Sequence, residues 1–280
     1  MQYLTNFHSH CYFCDGRASM EQFVRYAVAK GLRAYGVSSH APVSFNTRWA
    51  MHYDDFPEYL QEFYRLKKKY SAEMELYVGL ELDYLPEEKD AAFRLYENEP
   101  LDYRIGAIHY IDNLPTGQKW NIDGDPQLFY MVCELLYDGD IRRLVKRYFE
   151  QLCRMISSAR FDIVAHLDKV AYNAAQFRDF DSTASWYTDL ITETLKLVKE
   201  KDLIVEINTK SVASRGVTFP NRQFYPLMRK MKIPVMVNSD CHYPDGVITG
   251  MKHTYEALGE AGFRTVRILK GGKFVDMPIN

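Results

Sequence analysis

A parallel β/α barrel of seven strands is the fold class this sequence predicts. Three observations point to it. Short apolar, β-rich runs alternate with helix-period segments, which is the signature of parallel β/α units. Seven such runs precede a short tail, which favours a closed barrel over an open sheet. Six of the eight histidines end or directly follow one of these runs, and in a parallel β/α barrel the strand ends share one face.

The expected strands cover residues 4–7, 34–38, 76–82, 104–108, 163–165, 203–207, 235–238 and, in the tail, 266–269. The first helix is marked by Ser19 as N-cap, by apolar residues Met20, Phe23, Val24, Ala27 and Val28 at helical spacing, and by Gly31 as a stop. Asp125-Pro126 reads as an N-cap followed by proline in the first turn, opening a helical region towards Cys153 with a break near Gly139. A helix over 182–200 should bury Trp186, Leu190, Ile191 and Val198. A shorter one from Asn221 should bury Phe224, Leu227 and Met228. No linker rich in Gly, Ser or Pro divides the chain, so one domain over 1–280 is expected.

Composition narrows the function classes. Apolar residues make up 47% and charged residues 26% of the 280, a globular mixture rather than a disordered one. A chain of this length buries about 75% of its unfolded surface. The formal net charge of −2 supplies no basic field for a nucleic-acid backbone. No window approaches about 18 uncharged apolar residues, so no membrane span is expected. The opening MQYLTNFHSH lacks a basic n-region and an apolar h-region. Together with five cysteines that cannot all pair, this points to a reducing, cytoplasmic setting. Oligomeric state is not legible.

The histidines carry the chemistry. Strand one runs into His8-Ser9-His10, strand two into His40, strand four into His109, strand five into His166, and strand seven into Asp240-Cys241-His242. Strand three places Glu81 inside an apolar run. In His8-x-His10 and Asp240-x-His242 the period of two puts both side chains on one side of an extended segment. Chance would scatter such residues over helices and loops, as it does His52 and His253, which read as ordinary surface histidines. Imidazoles and carboxylates without thiolate suit Zn, Mn or Fe, and one glutamate can bridge two ions about 3.5–4 Å apart. A site for two to three divalent transition-metal ions is expected.

The motifs F-H-S-H, a following D-G, S-S-H-A-P, G-L-E-L-D, G-A-I-H, V-A-H-L-D and N-S-D-C-H, in this order over nearly the whole chain, resemble the PHP family, named for polymerase and histidinol phosphatase. The resemblance implies a distorted (β/α)7 barrel with up to three metals on its C-terminal face. It implies a first metal held by His8, His10, Glu81 and Asp240, a second sharing Glu81 and adding His109 and His166, and a third on Asp15, His40 and His242. Some members have His where this chain has Asp15, which bears on affinity at the third position. The length, the absence of a polymerase segment, S-S-H-A-P and the insertion through Arg48-Trp49 to Tyr53 resemble the monofunctional histidinol-phosphatase branch. Such enzymes hydrolyse L-histidinol phosphate in histidine biosynthesis.

Hydrolysis of a phosphate monoester dianion requires positive charge on the phosphoryl oxygens and a nucleophile at neutral pH. Two ions bridged by Glu81 supply both. Asp240 or His242 could pass a proton to the departing alkoxide. Strand six offers no histidine, which makes its sector the one available to substrate, and Arg48, Arg215 and Lys210 are the candidate contacts. Cys11 and Cys14 lack the second pair of a zinc site and the context of a redox pair, and read as small buried residues beside the cluster. The competing functions are a PHP phosphoesterase for a phosphotyrosyl protein or a nucleic-acid or nucleotide phosphoester, a non-catalytic metal module, and an amidohydrolase. The last would want a lysine bridge where this chain offers Glu81.

Overall fold

Seven strands pair in chain order: β1 (Thr5–Asn6), β2 (Ala34–Val37), β3 (Glu75–Asp83), β4 (Tyr103–Ala107), β5 (Ile163–Val164), β6 (Ile204–Asn208) and β7 (Val235–Asn238). The computed structural model describes residues 4–279; the first three residues of the opening segment read for a leader, and Asn280, lie outside the described residues. Each neighbouring pair is parallel. Strands such as β2, β6 and β7 are buried along their whole length, which is why they read as unbroken apolar runs rather than alternating ones.

The two edges, β1 and β7, nearly close the sheet into a barrel. A parallel bridge joins Ser9 to Cys241, and the His10 N–H donates to the Cys241 carbonyl at 3.0 Å. Elsewhere along this seam side-chain amides replace the ladder. Asn238 Oδ1 accepts from the Phe7 N–H at 2.8 Å, and Asn6 Oδ1 accepts from the Ser239 N–H at 3.1 Å. Strand lengths from two to nine residues make this a distorted barrel.

Tyr103 fills the space that two glycines leave. A Cβ on Gly79 would sit 2.5 Å from its ring, and one on Gly36 would collide with its hydroxyl. That hydroxyl donates to the Phe7 carbonyl at 2.7 Å, while the Phe7 and Tyr103 rings meet edge-on at 6.0 Å. The side chain thereby ties β4 to the end of β1.

The helices follow their caps. Ser19 and Gln22 form a reciprocal capping box on Met20–Ala29, and Gly31 takes a positive φ of 77° just beyond it. Asp125 caps Pro126–Tyr137, and the break falls at Asp138-Gly139, both with positive φ, before Asp140 caps Ile141–Ser158. The next long helix spans Ser185–Glu200 and buries Tyr187, Ile191, Thr194, Leu195 and Val198. Trp186 and Leu190, expected inside, are only half-buried, because the buried stripe is rotated by about one position. From Asn221 a short 3-10 turn, Arg222–Phe224, leads into Tyr225–Met231. The insertion after β2 ends in a helix, Phe56–Lys69, whose Tyr59 hydroxyl donates to the carbonyls of Val37 and Gly79, both at 2.9 Å.

The tail is an antiparallel hairpin, β8 (Thr265–Lys270) and β9 (Lys273–Pro278). Gly271 and Gly272 both adopt positive φ, as a two-residue primed turn requires. The Gly271 N–H donates to Glu75 Oε2 at 2.8 Å, which sets the turn against the N-terminal end of β3. No helix among the described residues is long and apolar enough to cross a membrane.

Replacing Tyr103 with alanine should lower unfolding free energy by about 3–5 kcal/mol through the cavity it opens. Tyr103→Phe, which keeps the ring, should cost only about 1 kcal/mol. Denaturant titration of the two variants checks this, and equal losses would show that the hydrogen bond, not the filled space, is what matters.

Candidate metal centre

The nine side chains expected to bind metal converge at the C-terminal face of the barrel, eight of them beyond strand ends and Glu81 from within β3. The extended segments after β1 and β7 bring His8 and His10, and Asp240 and His242, to one side, and the Ser9–Cys241 bridge aligns the two segments. His40, His109 and His166 stand two to three residues past β2, β4 and β5. Asp15 arrives from the turn before the first helix. His166 and Asp240 hold positive φ of 24° and 49°, strained for non-glycine residues at about 1–3 kcal/mol each. The contacts around them hold this geometry in place.

Glu81 is the centre of the cluster, and its two oxygens face different partners. Oε2 lies 3.2 Å from His8 Nε2, 3.5 Å from His10 Nε2 and 3.0 Å from His40 Nδ1. Oε1 lies 3.0 Å from His166 Nε2 and 3.8 Å from His109 Nε2. Asp240 Oδ1 completes the first side at 3.1 Å from His10 Nε2 and 3.8 Å from His8 Nε2. Around the rim, His242 Nε2 and His40 Nε2 lie 3.2 and 3.9 Å from Asp15 Oδ1. Among the described residues, donor atoms close enough to share an ion form the groups His8/His10/Glu81, Glu81/His109/His166, His40/Asp83/His109 and His10/Asp15/His40/His242, while Asp240, expected with the first, falls in none of them. His10 thus stands in the last group as well as the first.

The donor set fits metal. Buried side-chain atoms without a hydrogen-bond partner include His8 Nε2, His10 Nε2, His40 Nδ1, Asp15 Oδ1 and Glu81 Oε2. Five such atoms aimed at one place is a costly arrangement for a protein alone, and it is relieved by cations. Burial would raise the Glu81 carboxyl, but the charges of His8, His40 and His109 hold it well below the usual range. Burial lowers His10, reinforced by His242 and His40, and burial lowers His166. Both therefore present lone pairs.

Supporting residues that the sequence did not flag orient these ligands. Glu206 Oε1 accepts from His8 Nδ1 at 2.7 Å, and Oε2 accepts from the His166 N–H and Asn208 Nδ2, both at 3.0 Å. Asn238 Nδ2 donates to the same carboxylate at 3.1 Å. Asp83 Oδ1 accepts from His109 Nδ1 at 2.8 Å; burial would lower His109, but Asp83 and Glu81 push it up to about 10. Such partners fix tautomer and ring orientation. The available signal was a carboxylate inside the apolar run of β6, the same feature that exposed Glu81 in β3.

A small cavity of about 80 Å³ opens beside the cluster, walled by ligand side chains together with Trp49, Asn121, Asp123 and Lys210. Lys210 Nζ lies 3.2 Å from Asp240 Oδ1. Arg48 is exposed and outside this lining, although its neighbour Trp49 packs edge-on against the His40 ring at 4.8 Å. Arg215 is also outside it: its guanidinium lies 3.5 Å over the Tyr172 ring and donates to the Tyr172 carbonyl. Cys11 is buried, and burial pushes its thiol up to about 11. Cys14 places Sγ 3.5 Å from His10 Nδ1, and both thiols are free. His52 and His253 are exposed and away from the cluster.

Residues 6–210 match the family model for the PHP domain. The chain belongs to the PHP family, as a metal-dependent phosphoesterase of that class. A Schizosaccharomyces pombe protein named "Probable histidinol-phosphatase" is 22% identical over 95% of this chain and 89% of its own. The Bacillus subtilis histidinol-phosphatase is 23% identical over 90% of this chain and 97% of its own. The crystal structure of histidinol phosphate phosphatase from Lactococcus lactis, complexed with zinc, L-histidinol and phosphate, shares this fold. Its TM-score is 0.77 at 18% identity, covering 98% of this chain and 99% of that one.

Metal-stripped protein should take up two to three equivalents of Zn or Mn, measured by elemental analysis after gel filtration. Glu206→Gln, which leaves every ligand in place but weakens the hold on His8, should loosen binding by about 10–100-fold. Unchanged affinity would remove Glu206 from the account of the site.

Proposed function

We propose that this chain hydrolyses L-histidinol phosphate to L-histidinol and phosphate, with Glu81 among the residues that would hold its divalent ions. The observation that carries the phosphatase reading is the division of labour at Glu81, one oxygen facing His8, His10 and His40 and the other facing His109 and His166. Support for the substrate comes from relatives bearing that name over nearly their full length. Ions bound there would lower the pKa of a shared water towards 7 and neutralise the phosphoryl oxygens.

The chain's own groups do the rest. His8, His10, Glu81 and Asp240 would hold the first ion, His109 and His166 with Glu81 the second, and Asp15, His40 and His242 the third. Lys210, fixed at Asp240 on the cavity wall, offers its ammonium to a phosphoryl oxygen; burial would lower it, but Asp240 and Asp123 keep it raised and charged. Asp240 or His242, both lining the cavity, would deliver the proton to the alkoxide. Arg48 and Arg215 would act on substrate only through movement of their loops.

Glu81→Gln keeps the shape but removes the charge that offsets two cations. Its kcat/KM should fall by far more than tenfold, the equivalent of about 1.4 kcal/mol in barrier, and its metal content should drop. Lys210→Met should lower kcat/KM by about 10–100-fold on every monoester alike, the cost of one charged hydrogen bond. Phosphate release from histidinol phosphate, a phosphotyrosyl peptide and nucleotide monophosphates tests the substrate. Equal rates across that panel would leave a phosphoesterase without the histidinol assignment.

A further inference from the structure

Besides expected metal-ligand side chains such as His40, His109 and Asp240, the cavity is lined by Trp49, Asn121, Asp123 and Lys210, with Lys210 reaching Asp240 at 3.2 Å. Asp123 is the carboxylate of that lining, among the described residues, that is not one of the nine expected metal ligands. Its loop is held firmly. The Ile122 N–H donates to the His109 carbonyl at 2.9 Å, the Ile122 carbonyl accepts from Asn173 Nδ2 at 2.9 Å, and Asn121 Oδ1 accepts from the Asp123 N–H at 3.0 Å.

Behind Asp123, the buried Lys169 places Nζ 3.4 Å from Oδ2 and 5.1 Å from the centre of the Phe219 ring. That contact orients the carboxylate from the back, and its side chain remains 18% exposed towards the cavity. Burial would raise the carboxyl, but Lys169, His109 and Lys210 hold it down to about 2, so it is ionised at neutral pH. Trp49 forms a side wall, stacked on Tyr110 with ring centroids 5.8 Å apart, and its face is suited to a flat or cationic group.

A substrate cation brought within a few ångströms of several divalent ions is repelled unless an anion stands on its far side. Asp123 is placed to be that anion. We propose that Asp123, with Asn121 and the Trp49 indole, is the leaving-group subsite and selects phosphate monoesters whose alcohol carries a cationic amino group. This rests on the phosphatase reading above and assigns specificity to a residue outside the metal centre.

The test uses the metal-loaded full chain near pH 7.5 with three esters: L-histidinol phosphate, its des-amino analogue 3-(imidazol-4-yl)propyl phosphate, and p-nitrophenyl phosphate. The unmodified chain should favour the amino ester over the des-amino ester by about 10–100-fold in kcat/KM. Asp123→Asn should erase that preference by loss on the amino ester alone, with metal content and the other two rates within about threefold. An equal fall on all three esters would make Asp123 a mere anchor for Lys169 and overturn the proposal. Absence of preference in the unmodified chain would overturn it too, while leaving the phosphatase reading intact.

Calorimetry with L-histidinol and with 3-(imidazol-4-yl)propanol separates the subsite from turnover. Stronger binding of the amino alcohol supports the subsite even if no ester is hydrolysed, an outcome that would sink only the phosphatase reading. Equal binding of the two alcohols overturns the subsite. Should Asp123→Asn fold poorly with Lys169 left unpaired, the double variant Asp123→Asn/Lys169→Met removes both charges and should show the same loss of preference.

Discussion

Glu81 is 1% exposed, and a buried carboxylate survives as an ion only when cations surround it. Five imidazoles face it here, two from the segment after β1 and one each from those after β2, β4 and β5, and of these His8 and His109 are held charged. None of these rings can be moved without leaving the carboxylate uncompensated. The centre therefore constrains the whole upper face of the barrel, and the barrel in turn fixes how far apart the five rings stand. Cations would relieve the remaining unpartnered donor atoms, so metal binding and stability of this face are one question.

The constraint propagates outward through polar contacts rather than through the apolar core. Glu206 joins His8 to His166 and to the amides of Asn208 and Asn238, linking β1, β5, β6 and β7. Asn238 and Asn6 in turn stitch the seam where β1 and β7 lack a full ladder. The same side chains that orient ligands thus finish the closure of the barrel. Below them, Tyr103 fills the room left by Gly36 and Gly79. Packing at the bottom sets the height of the strands, and hydrogen bonds at the top set their ends.

Beside the metal centre the cavity wall carries Lys210 and Asp123 as opposite charges. This polarity matches a substrate that is anionic at its reacting end and cationic a few bonds away. Metal ions attract any phosphate, so discrimination between esters falls to the wall. On the proposed reading the barrel would supply general phosphoester chemistry, and the loop after β4 the selectivity.

The sequence by itself determined the strands, the first helix with its N-cap at Ser19, the break near Gly139, and which nine side chains to expect at the strand ends as metal ligands. Each of these rests on local information: a run of apolar residues, a cap, a period of two, or a ligand type at a strand end. Tertiary structure decided the rest. Glu206 and Asp83 orient histidines that lie far away or a strand apart in sequence, so no spacing announces them. Arg48 and Arg215 read as substrate contacts because they follow strands, yet the fold leaves the first exposed and lays the second on Tyr172. Asp123 carries no signal in the sequence, and it lines the cavity only because the His109 carbonyl and Asn173 hold its loop there. A strand end tells which face a residue reaches, but only the packing of loops from different β/α units tells which side chains meet there.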